Sequence, residues 1–503
     1  MTRWIIYGSI FLIGGLAVVF SLNNKTSTSA IDKIRPAGVA GSFYPADPGE
    51  LTEMIDQFLK NAEIQNISGP LMALVAPHAG YVYSGHVAAY SYILLKDRAI
   101  QRVIVISPSH LEAFDGAAIY DGDFYTTPLG TIPIDKKFST KLAQSDKILK
   151  LSDQGHETRK GGRMEHALEV QLPFLQRVLK KFSLVAIVMG DQSYETCKIL
   201  ATSIANLMDD KQTIVVASSD LSHFHSYEQA QKMDHKVLNA IEEWDYFNMC
   251  RNLNSRIWEA CGGGPITTAM IFSERLGANK TKILKYANSG DVSYGDKNSV
   301  VGYAAIAMYK DENAGYSVNK EFTLNEDEKK YLIDIAKKSV ETAVLEGRSF
   351  ECSDGNFKEL ALDRGAFVTL TENGQLRGCI GYTSPLQPLC YTVRDVAAHA
   401  ALKDRRFSPV TKDELARLHY EISVLSPFRR VLDIDQIKIG EHGLLIKNSF
   451  NEGLLLPQVA SDNNWDRITF LQQTCRKAGL PLNAWKDEKT DIFMFTALVF
   501  GEE

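Results

Sequence analysis

The sequence predicts an α/β protein: a first domain with a mixed or parallel sheet flanked by helices, then a smaller α+β domain, behind one N-terminal transmembrane helix. Three observations predict this. Residues 4–22, WIIYGSIFLIGGLAVVFSL, carry no charge. Beyond residue 32, short apolar runs rich in β-branched residues alternate with amphipathic segments, an order that places helices on both faces of a sheet. Beyond residue 325, a long helical pattern is followed by a strand–turn–strand signature and further strand-like runs.

The bulk numbers agree with a chain of two or three domains. It has 503 residues, 45% hydrophobic and 23% charged, an ordinary globular balance. A formal charge of −6 offers no basic field for nucleic acid, and no nucleic-acid partner is expected. The seven cysteines are scattered and form no CxxC pair, which argues against a disulfide framework and a zinc knuckle.

Each element has its own warrant. The apolar run 4–22 has about the length that crosses a bilayer as a helix, so residues 1–31 are expected to be a membrane anchor and tether. The alternative is a cleaved signal peptide, with Arg3 as its charged start and Thr28-Ser29-Ala30 as the cleavage site. Lys25, Lys33 and Arg35 after the span, against Arg3 before it, favour a cytoplasmic body. Residues 32–310 form the first domain, with strands expected at 71–76, 102–107, 183–189, 213–219 and 301–309. A helix is expected over 165–182, where apolar residues recur at helical spacing. Residues 311–324 turn polar and patternless, a linker. Residues 325–503 form the second domain, opening with a helix whose acidic first turn suits the macrodipole and which Gly347 closes. GAFVTL (365–370) and GQLRGCIG (374–381) then read as two strands joined by a turn.

The chemistry concentrates where strands end. LMALVA runs into His78, RVIVIS into His110, and TIVVASS into Asp220 and His223. In an open parallel sheet, the loops past the strands' carboxyl ends converge on the ligand crevice, so the three histidines are expected to share a site. Cys261 precedes three glycines and Pro265, where a helix N-terminus lowers a thiol's pKa and suits it as ligand or nucleophile. The competing reading is a small buried apolar cysteine. Asp220 reads equally as an orienter of a site histidine and as a helix cap. His86 and His225 read as surface or outlying residues, and Glu165, beside His166, as a carboxylate serving a helix dipole. Tyr81, Tyr83 and Tyr125 are expected to wall the pocket or simply to pack.

PHAGYVYSG, ISPSH, DFYTTPLG, EHALEVQLPFL, SSDLSH, CGGGPI and SGDVSYGDKNSVVGYAA together resemble the Memo family over residues 34–309, a family related in fold to the class III extradiol ring-cleaving dioxygenases with non-haem iron. The resemblance implies that His78, His110 and Cys261 occupy metal-ligand positions and that His223 stands where those enzymes keep an acid/base histidine. A thiolate replaces their carboxylate, which shifts preference toward copper(I), zinc or thiolate-ligated iron and puts ring cleavage in doubt.

GAFVTL, QLRGCIGY, ALKDRRFSPV, GLLLPQVA, Trp465 and CRKAGLPLNAW resemble the AMMECR family over about residues 325–500. There Cys379 lies between glycines near Arg377, a second candidate site if the cation activates the thiol, or a buried cysteine allowed by tight glycine packing. The two domains together resemble AmmeMemoRadiSam systems, which implies a radical S-adenosylmethionine protein as partner. This chain has no CxxxCxxC motif to hold that protein's cluster.

Three functions follow as expectations. The first is an iron- or copper-dependent oxidoreductase, zinc being the other ion considered, acting on an unassigned small molecule or peptide. The second is metal-free catalysis by Cys261, His223 and Asp220 as nucleophile, base and orienter. The third is a binding or assembly module without turnover.

Overall fold

The computed structural model describes residues 32–160, 163–209, 212–312 and 322–502. The apolar run 4–22 lies outside them, as do 313–321 of the expected linker. Among the described residues no helix is long and apolar enough to cross a membrane. The longest, Glu326–Glu346, carries charged side chains from its first turn to its last, each of them costly in a bilayer core. The expected fold class is corrected accordingly: it is a mixed α/β fold without a described transmembrane helix. The membrane-anchored localisation that rested on such a helix is not retained.

The first domain is built on a nine-stranded sheet. At its centre Leu71–Ala76, Thr213–Ser218, Arg102–Pro108 and Ser183–Met189 run parallel, in the spatial order 71–76, 213–218, 102–108, 183–189. Their near-continuous burial explains why they read as unbroken apolar runs. Antiparallel strands flank them: Val300–Tyr309 beside 71–76, and Ala117–Ile119 beside 183–189. Helices cover both faces, and the sheet between them divides the core into two clusters. Every parallel strand therefore ends at the same edge, and that edge carries His78, His110 and Asp220.

The helix expected over 165–182 is shorter than predicted. A 3-10 turn at Glu169–Gln171 leads into Leu172–Val178, and Leu179 is already extended. Pro173 is tolerated because it falls in the first turn, where its missing N–H is no loss.

The second domain opens as its caps predict. Asn325 and Glu328 form a reciprocal capping box, and Gly347 closes the helix in the left-handed conformation at φ 68°. Strands Ala366–Glu372 and Gln375–Tyr382 pair through Asn373-Gly374, both at positive φ, as a two-residue hairpin requires. Two four-stranded antiparallel sheets result.

The domains share a core. Phe428 and Phe493 of the second pack on Phe247 of the first, with ring centroids 6.3 and 4.6 Å away. Lys198 and Asp491 form a buried ion pair across the seam at 2.8 Å. Apolar contact of this kind opposes relative domain motion.

Candidate metal centre

Two residues past the strand Leu71–Ala76, His78 is 1% exposed. Its backbone N–H donates to Asp220 Oδ1 at 2.7 Å, and its Nδ1 lies 2.9 Å from Ser218 Oγ. The surrounding bonds settle its tautomer. The Ser218 hydroxyl spends its one proton on the Ala167 carbonyl at 2.6 Å and accepts from Gln171 Nε2 at 2.7 Å. Tyr92 in turn donates to Gln171 Oε1 at 2.5 Å, orienting that amide. Nδ1 of His78 must therefore be the donor to Ser218, and Nε2 keeps its lone pair. Burial also pushes the His78 imidazole toward its neutral form.

His110 is oriented by the same logic with a carboxylate. Glu165 accepts from its backbone N–H at 2.6 Å and faces its Nδ1 at 3.0 Å. Burial alone would raise Glu165, but the His110 hydrogen bonds outweigh it and hold the carboxyl at about 2. An ionised carboxylate only accepts, so Nδ1 carries the proton and Nε2 of His110 is again the open donor atom. The His110 side chain remains 28% exposed, leaving the site one face toward solvent.

Cys261 completes the set. Its Sγ lies 3.1 Å from His78 Nε2, and one ligand atom from each of His78, His110 and Cys261 falls within 4.8 Å of the others. Gln192 fixes the loop, donating to the Cys261 carbonyl at 2.9 Å and accepting from Gly264 N–H at 2.7 Å. Gly262 permits this approach, since a Cβ there would stand 2.2 Å from the Ser218 carbonyl. Burial pushes the thiol up, Asp220 adding to the effect. Burial likewise lifts Asp220 to about 7. The helix behind, Gly263–Arg275, starts two residues after Cys261. Its dipole is outweighed here by desolvation, against the lowered thiol pKa expected from the sequence.

His223 approaches from the edge strand His223–His225, which bulges at Phe224. Phe224 has φ 62° and is 77% exposed. Glu259, two residues before Cys261, clamps both ends of the bulge: it accepts from the His223 N–H at 3.2 Å and meets His225 Nε2 at 3.0 Å. Burial holds His223 below its ordinary pKa. Asp220 is bonded to His78 rather than to His223.

Some residues read differently in three dimensions. Glu165, taken as a dipole partner, caps the 166–167 turn and orients His110 at once. His166, which with Glu165 reads in the sequence as the opening of a helix, stacks on His110 at 4.7 Å and forms a second ligand-type group with His110 and Glu165. Its only sequence signal was adjacency to Glu165. Tyr81 and Tyr125 are buried packing residues bonded to the Val170 carbonyl and to His156. Tyr83 alone of the three stands at the surface, beside Tyr294.

In the second domain Arg377 is committed elsewhere. Its guanidinium binds Glu414 at 2.7 Å and the Ser408 carbonyl at 2.9 Å. Cys379 Sγ accepts from Thr369 at 3.3 Å, and the cation at its backbone carbonyl is Arg406.

Fold and site thus define a two-domain α/β protein with two histidines and a thiol converging at the sheet edge. Residues 35–307 match the family model described as Memo-like protein, and residues 333–500 the one described as AMMECR1. A MEMO1 family protein of Nitrosopumilus maritimus is 35% identical over 279 residues, covering 54% of this chain and 98% of the relative. One from Methanobrevibacter smithii is 39% identical over 285 residues, with 54% and 98% covered. The crystal structure of an uncharacterized protein from Pyrococcus horikoshii is 36% identical, covering 36% of this chain and 95% of that chain, with a TM-score of 0.35. The chain belongs to the Memo family, with its extradiol-dioxygenase-like fold, and carries an AMMECR1 domain fused behind it.

Proposed function

We propose that the chain is a metal-binding oxidoreductase-type protein whose Memo domain holds one iron or copper ion through His78, His110 and Cys261. The observation that carries this is the convergence of one ring nitrogen from each of His78 and His110 with the Cys261 sulfur within 4.8 Å, with each Nδ1 already tied to a partner. Ligating histidines characteristically donate their other ring N–H to a carboxylate or neutral oxygen, which is the pattern Glu165 and Ser218 supply. The donor set, soft sulfur with imidazole, suits copper(I) or thiolate-bound iron. When bound, such an ion supplies one-electron chemistry and open positions for a substrate.

The chain's own residues do the rest. Glu165 and Ser218 keep the imidazoles in one tautomer and orientation. On this reading His223, on its clamped bulge, takes or gives a proton at the open face. A radical S-adenosylmethionine protein acting on the same substrate is the proposed partner, on the strength of the Memo–AMMECR pairing.

A second reading rests on the 3.1 Å contact between Cys261 Sγ and His78 Nε2, the geometry of a thiol with its general base. In that case His78 rather than His223 is the base. It leaves the oriented Nε2 of His110 without a task.

Metal analysis by mass spectrometry on the full chain, purified without oxygen, separates the two. About one iron or copper per chain, lost in Cys261→Ser, is expected. Absence of metal from both proteins, even after incubation with iron(II) and copper(I), overturns the metal reading. Stoichiometric iodoacetamide labelling of Cys261 in that metal-free protein then supports the thiol nucleophile.

A further inference from the structure

The seam between the domains is well packed at Phe247, Phe428 and Phe493 and parts further along. Between the helix Tyr227–Glu242 and the stretch 354–364 lies a cleft of about 1030 Å³. Packed interiors hold few voids larger than a water molecule, whereas ligand pockets of this size concentrate at domain interfaces.

The first wall is one helical face. Gln229, Lys232, Met233, Lys236 and Asn239 recur at helical spacing and all line the cleft. A helix face buried against another domain is ordinarily an apolar stripe. Here it is polar, so the face is not built to close against its neighbour.

The base of the cleft is rigid without any ligand. Asp363 Oδ2 of the second domain accepts from Lys236 Nζ at 2.8 Å and from the buried Trp258 indole N–H at 3.2 Å, both of the first domain. Arg364 is held by Glu243 at 2.8 and 2.5 Å and lies over the Phe322 ring at 5.0 Å. Each domain thus fixes a group on the other, which is preorganisation of the kind that favours binding.

Above that base the walls carry both signs of charge: Lys232 and Glu242 on one side, Asp354, Lys358 and Glu359 on the other. A purely anionic ligand meets carboxylates on both walls, and a purely cationic one meets lysines on both. His225, which shares Glu259 with the His223 backbone, also lines the cleft.

We propose that this interdomain cleft is a binding site for a zwitterionic, peptide-like ligand, assembled from both domains. It is independent of metal at Cys261. The AMMECR1 domain then contributes half of a recognition site, and the ligand lies beside His225, on the chain segment that carries His223.

Isothermal titration of the full chain with the tripeptide Lys-Ala-Glu, beside putrescine and succinate as single-sign probes, tests this. Saturable binding of the tripeptide is expected, with both controls at least about tenfold weaker. Ala361→Trp, which fills the cleft from an exposed position, is expected to weaken the tripeptide about tenfold or more, and Cys261→Ser to leave it unchanged. If Ala361→Trp does not fold by its thermal transition, the surface change Lys358→Glu takes its place with the same expectation. No saturable tripeptide binding, equal binding by either control, or unchanged binding in the cleft variant overturns the proposal.

Discussion

Cys261 and Cys379 invite comparison because both are partly exposed thiols set among glycines. Their surroundings differ in kind. Around Cys261, two histidines from strand ends and a thiol set before a helix bring one ligand atom each within 4.8 Å of the others. Around Cys379, every strong group is already paired: Arg377 with Glu414, Arg406 with Asp404, and the thiol with Thr369. The difference teaches that a cysteine becomes a candidate site through convergent unspent donor atoms. A cation two residues away in sequence is poor warrant, because arginine seeks the nearest carboxylate.

Four outcomes break or sharpen that contrast. The largest belongs to His110→Ala, which removes one of three ligands and is expected to lower metal affinity more than about a hundredfold, beyond what loss of an outer partner costs. Metal content after dialysis checks it, and full retention would dissolve the distinction between the two thiols.

Next is Glu165→Gln. The amide no longer enforces the Nδ1–H tautomer of His110, and a loss of about 10–100-fold in metal affinity is expected with the fold kept, the range for an outer-shell partner. Competition with a chelator of known affinity reads this directly. If affinity does not change, the second histidine owes nothing to Glu165.

Third, Arg377→Ala removes the pair with Glu414 and the bond to Ser408. A stability loss of about 1–2 kcal/mol is expected, hydrogen bonds to charged groups being worth about 1.5–3 kcal/mol before solvent screening reduces them. Urea unfolding measures it. The rate of Cys379 alkylation is expected to stay the same, and a marked slowing would restore Arg377 as activator of that thiol. The smallest effect is that of Cys379→Ser, expected to change neither metal content nor, beyond about 0.5 kcal/mol, stability.

Much of the Memo-domain site was legible in the chain. His78, His110 and Asp220 each follow an apolar run within two residues, and parallel strands deliver their carboxyl ends to one edge. What was missed lies across long sequence separations. Glu165 binds His110 from 55 residues away, and Gln171 reaches Ser218 across 47. Both sit in a segment whose apolar spacing suggested one long helix, although only Leu172–Val178 is α-helical. The tyrosines misled for the same reason: a ring beside a glycine loop has no address until its hydroxyl finds a partner, as Tyr125 does with His156.

The sequence by itself determined the strands, the hairpin at Asn373-Gly374, the capped helix from Asn325 and the residue types at the sheet edge. All of these follow from local periodicity, turn chemistry and steric rules that act within a few residues. Only the tertiary structure decided which nitrogen of each histidine is open, that Arg377 is spent on Glu414, and that the two domains leave a charged cleft between them. Those outcomes depend on which donors and acceptors meet across the fold, and a hydrogen bond formed at one end removes that group from every other use.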